Sequence, residues 1–297
     1  MSTMNESEAT RGLGLLLRDC SFYPAPLERL RNFFAVGADP NIIIRDRHGE
    51  DGGDNYPQIL LHIVKCGMFR EDGIADALVV FEQFVSNPMF DMDALNSSGK
   101  AVIHFACELN NPDFLRVILR YGRVNVNLPS STSLLDGCTA LHYACCYGKV
   151  QQARLLLEDD RVDVEARDCR GRTPLFVSIV YNYGPDRNNY DIAAMLISRG
   201  CDLMVADIFG CNVLHYCSDP DICRLLLDNG ADPLHADTNG RTPIHDADML
   251  GIHGVRDLMV KHANFPRFRA IYQLMKEKQI PMNTLKAIHS QSHPPLY

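Results

Sequence analysis

A segment of about 34 residues recurs along this chain, and no other feature constrains the fold as strongly. GKAVIHFAC (99–107), GCTALHYAC (137–145), GRTPLFVSI (171–179), GCNVLHYCS (210–218) and GRTPIHDAD (240–248) align without gaps. Each starts with Gly and places an aliphatic residue four positions on. The next position is His104, His142, His215 or His245, with Phe176 in the remaining copy. Successive glycines lie 38, 34, 39 and 30 residues apart, a fixed period carrying insertions and one deletion.

The second half of each unit repeats too. FLRVILRYG (114–122), ARLLLEDD (153–160), AAMLISRGCD (193–202) and CRLLLDNGADP (223–233) are amphipathic helical stretches followed by a turn. LERLRNFFAVGADPN (27–41) and ILLHIVKCG (59–67) extend the array towards the N-terminus, giving roughly seven units between about residue 10 and residue 263. One helical hairpin cannot bury its own apolar face, so stability must come from stacking neighbours. Leu155, Leu156, Leu157, Leu196, Ile197, Leu225, Leu226 and Leu227 are the expected core between units. Thr-Pro pairs place Pro174 and Pro243 at the first helical position, where a missing N–H costs nothing. Gly148, Gly200 and Gly230 fall where helices end or reverse. Each recurrent His is expected to bond the backbone of the adjacent turn.

Composition narrows the functional class. With 46% hydrophobic and 22% charged residues the chain can build a core, and a net charge of −8 argues against a general nucleic-acid binder. Residues 261–297 nevertheless carry +5, against −13 for the remainder. Eleven cysteines without framework spacing suit reduced thiols, hence a cytoplasmic setting, with nuclear or cytoskeletal association compatible. The start MSTMNESEAT has no secretory pattern and no apolar run is long enough to span a bilayer.

The repeated residues resemble the ankyrin-repeat family. GRTPLF, GRTPIHDA, CTALHYA and LLLDNGADP stand close to its T-P-L-H-x-A and L-L-x-x-G-A-D motifs, and the likeness covers about 85% of the chain. The resemblance implies an all-α solenoid of helix-turn-helix units with β-turn tips, closed by a helical C-terminal cap. Degenerate repeats are expected over 1–97, well-defined repeats over 98–263, and a cap with a basic tail over 264–297. It also implies non-catalytic protein–protein recognition, as adaptor or scaffold, through the turn tips and the exposed residues of each first helix. Carried onto this sequence, that surface comprises Arg167, Cys169, Arg170 and Arg172 with Tyr181, then Ile208 and Phe209, and Tyr147 in the preceding unit. Arg and aromatic residues are enriched at interface hot spots.

Other chemistry finds little support. His104/Cys107, His142/Cys145/Cys146 and His215/Cys217 mimic zinc spacing, but each pair occupies fixed slots of a separate repeat. GLGLLL (12–17) lacks the third glycine of a dinucleotide loop, and no phosphate loop or nucleophile elbow is present. No catalytic residue, metal, cofactor, small-molecule substrate or nucleic acid is therefore expected. Insertions at 48–58, 127–136 and 181–191 map to loops on one face. Two further readings stay open. One is a structural subunit of a large assembly such as a filament-associated complex. The other is a substrate receptor of a ubiquitin ligase, from the distant likeness of IPMNTLKAI (280–288) to the start of an F-box or SOCS-type segment.

Overall fold

The computed structural model describes residues 5–11, 32–33, 35–38, 74–96, 99–132, 135–181 and 189–263. The 59–67 half-unit, most of 27–41, the 48–58 insertion, most of 181–191 and the expected C-terminal cap lie outside the described residues. The elements are all helical, with no strand element among the described residues. The chain divides into two compact units, Met1–Ile208 and Phe209–Tyr297.

The N-terminal unit contains α1 (Ile74–Ser86), α2 (Val102–Glu108), α3 (Asp113–Tyr121), α4 (Ala140–Cys146), α5 (Val150–Leu157), α6 (Pro174–Val180) and α7 (Asn189–Ser198). Two rows result. The first helices stack α2 on α4 on α6, and the second helices stack α1 on α3 on α5 on α7. The C-terminal unit holds a 3-10 turn (Val213–Tyr216), α8 (Pro220–Asp228), α9 (Pro243–Met249) and a helical stretch at 253–263.

The second helices bury one register. Phe114, Leu115 and Ile118 are buried on α3, as are Ala153, Leu156 and Leu157 on α5, Ile192, Ala193 and Leu196 on α7, and Ile222, Cys223, Leu226 and Leu227 on α8. Leu155, Ile197 and Leu225, expected in the same core, are only half-buried, because each lies one helical step off the stacking face. Complete burial of an aliphatic side chain contributes about 1.5–3 kcal/mol, so a row of such residues is what the stack gains.

Helix starts follow the sequence. Thr173 Oγ1 accepts the Phe176 N–H at 3.4 Å, Asp219 accepts from Asp221 and Ile222 at 2.8 and 3.1 Å, and Pro174, Pro220 and Pro243 occupy first-turn positions. The recurrent His acts twice. Nδ1 of His104, His142, His215 and His245 accepts the N–H of Ala101, Thr139, Asn212 and Thr242, at 2.9, 3.1, 3.0 and 3.1 Å. Nε2 of the first three donates to the carbonyls of Leu128, Arg172 and Arg241, at 3.0, 3.0 and 3.2 Å. These partners require the neutral tautomer with its proton on Nε2. Burial agrees, holding the imidazoles of His104 and His142 down at about 4.

A second set of ties runs along the outer row. Arg123 donates to the carbonyls of Val85, Asn87 and Pro88, Arg161 to Gly122 and Val124, and Arg199 to Leu157. Each guanidinium thus satisfies orphan carbonyls at the end of the preceding second helix, where a cation is also favoured by the helix dipole. In the C-terminal unit the same slot is Asn229, which donates to Leu225 of its own helix at 2.8 Å.

Candidate partner-binding surface

The tips at Gly171, Gly210 and Gly240 begin with an acid three residues before the glycine, Asp168, Asp207 and Asp237. Oδ1 of Asp168 accepts the N–H groups of Arg170 and Arg172, both at 2.9 Å, which fixes the turn from within. Asp237 repeats the arrangement with Asn239 and Arg241, both at 2.8 Å. Consecutive tips are then joined by one main-chain bond apiece. Cys169 donates to Asp136, Ile208 to Arg170, and Thr238 to Phe209, each at 3.0 Å. The approach is close enough to demand glycine. A Cβ on Gly137 (φ 75) would stand 2.9 Å from the Cys169 nitrogen, in a left-handed conformation that other residues disfavour.

The eight residues expected at the recognition surface separate on this frame. Arg167, Cys169 and Arg170 are exposed around one turn, and Ile208, 60% exposed, is held beside Arg170 by its amide. Phe209 is 53% exposed, at the first tip of the C-terminal unit. Tyr147 and Tyr181 are half-buried at the ends of α4 and α6, and Tyr147 lies 6.3 Å from the Tyr143 ring.

Arg172 requires a correction. It was expected to face a partner, yet it is only 4% exposed. Its Nε and Nη2 bond Asp168 Oδ2 at 2.8 and 2.5 Å, its Nη1 bonds the Tyr181 hydroxyl at 2.7 Å, and its guanidinium stacks 4.8 Å from that ring. The two N–H groups converging on Oδ2 neutralise Asp168, and the ring covers both side chains. Arg241 occupies the equivalent position opposite Asp237, but at 3.3 Å and with 46% of its side chain exposed. Tyr181, the residue at which the 181–191 insertion begins, is what closes the first pair from water.

The His/Cys pairs do not converge on a cation. Both ring nitrogens of His104, His142 and His215 are taken by hydrogen bonds, Cys107, Cys145, Cys146 and Cys217 are buried, and the Cys217 thiol donates to the Asp219 carbonyl at 3.4 Å. Among the described residues no group of three or more His, Cys, Asp or Glu could hold a metal ion. Desolvation pushes the Cys146 thiol up to about 12, which suits a small core residue and not a nucleophile. Two elements escaped the sequence reading. The tip acid recurs as D-x-x-G at Asp168, Asp207 and Asp237, and Arg123, Arg161 and Arg199 recur every 38 residues, so both patterns were available.

A family model of ankyrin repeats in three copies matches residues 70–168 and 103–207, and a single ankyrin repeat matches 209–238, together more than half of the chain. The chain belongs to the ankyrin-repeat family. Among its curated ankyrin relatives, the B-cell lymphoma 3 protein homolog of Mus musculus is 29% identical over 158 residues, 51% of this chain and 33% of that protein. Ankyrin repeat and SOCS box protein 16 of Mus musculus is 29% identical over 197 residues, 57% of this chain and 37% of that protein. Transient receptor potential cation channel subfamily A member 1 of Homo sapiens is 25% identical over 180 residues, 60% of this chain and 15% of that protein. The chain spans about a third of the length of the first two. Ankyrin repeats make this chain a protein–protein interaction module of a kind that is generally non-catalytic. No helix among the described residues is long and apolar enough to cross a membrane.

Proposed function

We propose that this protein is an adaptor or scaffold that binds a partner protein across the tips and first-helix ends of its N-terminal unit. Arg167, Cys169, Arg170 and Ile208 form the contact, flanked by Tyr147 and Tyr181; Phe209 offers a tip contact in the C-terminal unit. The observation that carries the reading is the exposed Ile208 side chain, pinned beside the exposed Arg170 by a 3.0 Å amide bond. An aliphatic residue held rigidly in water gains most from being covered, and a preformed turn spends little entropy on binding. Arg172 supports the contact from beneath by holding the turn.

The test is capture of partners from a cell extract by wild type and by Arg170→Ala/Ile208→Ser, with helicity checked by circular dichroism. Loss of a partner from the folded variant is the expected result; an unchanged set of partners would overturn the assignment.

A ubiquitin-ligase receptor role is the second reading. Two things favour it: the IPMNTLKAI segment at 280–288, and a mouse relative whose name joins ankyrin repeats to a SOCS box. It predicts that ligase subunits captured by the full chain disappear when the chain stops at residue 263. The basic 261–297 segment suits docking on the acidic surface of a large assembly equally well, and the same truncation then removes assembly subunits in place of ligase ones.

A further inference from the structure

We infer that the Arg167–Arg170 turn receives an acidic segment of the partner, with an apolar side chain of that segment set against Ile208; this rests on the tip reading above. Among the described residues between 99 and 263, Arg116, Arg120, Arg161, Arg172, Arg199, Arg224, Arg241 and Arg256 are paired with carboxylates, and Arg123 is spent on carbonyl oxygens. Among the described residues, Arg154 on α5 and the two tip residues Arg167 and Arg170 have no carboxylate within ion-pair distance. In a chain of net charge −8, internal partners are plentiful, so two guanidinium groups three residues apart on one turn, without an ion-pair partner among the described residues, are a departure from the pattern of the other arginines.

Of the neighbouring acids, Asp168 and Glu165 accept backbone N–H groups, and the exposed Asp136 on the adjoining tip makes no ion pair among the described residues. Asp168, between the two arginines, is buried and neutralised by Arg172, and its remaining oxygen holds two backbone N–H groups. Glu165 senses the charge of Arg167, but its Oε1 accepts the Asp202 N–H at 2.7 Å. The turn therefore presents two free forks for carboxylates and, 3.0 Å away through the main chain, an exposed aliphatic residue. Guanidinium groups favour planar bidentate partners, and exposed pairs of this kind set register and on-rate more than raw affinity. An alternation of acids around one apolar residue fits that layout.

Fluorescence anisotropy on the full chain tests it, using a labelled synthetic peptide of about a dozen residues with Asp and Glu around a central Leu, and a second peptide with those acids replaced by Lys. The acidic peptide should bind, weaken as salt is raised, and lose at least about tenfold in affinity against Arg167→Glu/Arg170→Glu; the basic peptide should not bind wild type. Binding of neither peptide, equal binding of both, or retained affinity in the charge-reversed variant would overturn the inference. Measuring a captured partner against the same variants separates the two levels. If Ile208→Ser weakens the partner and charge reversal does not, the tip surface stands and the acidic segment falls; if neither weakens it, both fall.

Discussion

The imidazole of His142 joins the N–H of Thr139, three residues before it, to the carbonyl of Arg172, thirty residues after it. One side chain thereby closes the start of α4 and fixes the next tip, from a position with no exposure to water. Local and long-range order are coupled at a single ring, and the coupled tip is the one that carries Arg170.

Removing that ring leaves a buried N–H and a buried carbonyl without partners, along with a void. His142→Ala is expected to cost about 3 kcal/mol, read as a lower urea midpoint with an unchanged slope. Because Arg172 is the far anchor, the same change should loosen the tip, seen as faster amide exchange at Cys169 and Arg170.

Acid should weaken the stack through the same residues. His104 and His142 titrate at about 4 when folded, below the ordinary value of 6.5, so the unfolded chain takes up protons first. Their contribution is complete above pH 6.5 and is lost as pH falls towards 4, by up to about 3 kcal/mol for each ring. Urea midpoints measured across that window should fall with pH. In His142→Phe, which borrows the residue that Phe176 supplies to the same slot, the slope should be shallower.

Arg170 and Arg172 should behave oppositely. Arg172→Ala strands the buried carboxylate of Asp168 and is expected to destabilise the protein by about 3–5 kcal/mol, much of it recovered when Asp168→Asn is added. Arg170→Ala should change stability by no more than about 0.5 kcal/mol while weakening partner binding. Thermal melts and binding on the same preparations check both halves.

Of the nine described cysteines only Cys169 is exposed, and desolvation raises the buried thiols of Cys107, Cys138, Cys145, Cys146 and Cys201. Among these nine, a thiol reagent at neutral pH should modify Cys169 first in the native protein. Mass mapping of the labelled peptide, with Cys169→Ser as control, reads this directly. Prior labelling at Cys169 should also block partner binding if the tip is the contact.

Much of this architecture is set by the sequence itself. The recurring Gly, the aliphatic residue four positions on and the His after it fix where each first helix starts, because helix caps and left-handed turns depend on residues within one turn of each other. The buried register of the second helices follows from apolar spacing, and only Leu155, Ile197 and Leu225, on the margin of that face, needed the neighbouring helix to be assigned. The candidate surface was legible as a region and not as individual side chains. Arg170 and Arg172 are chemically identical and stand on either side of Gly171, whose φ of 73 reverses the chain between them. Which one turns inward depends on Asp168 being buried beneath the turn and on Tyr181, nine residues on, arriving to cover the pair. Burying a charge is favourable only when its partners meet it in space, and that meeting is decided by tertiary packing.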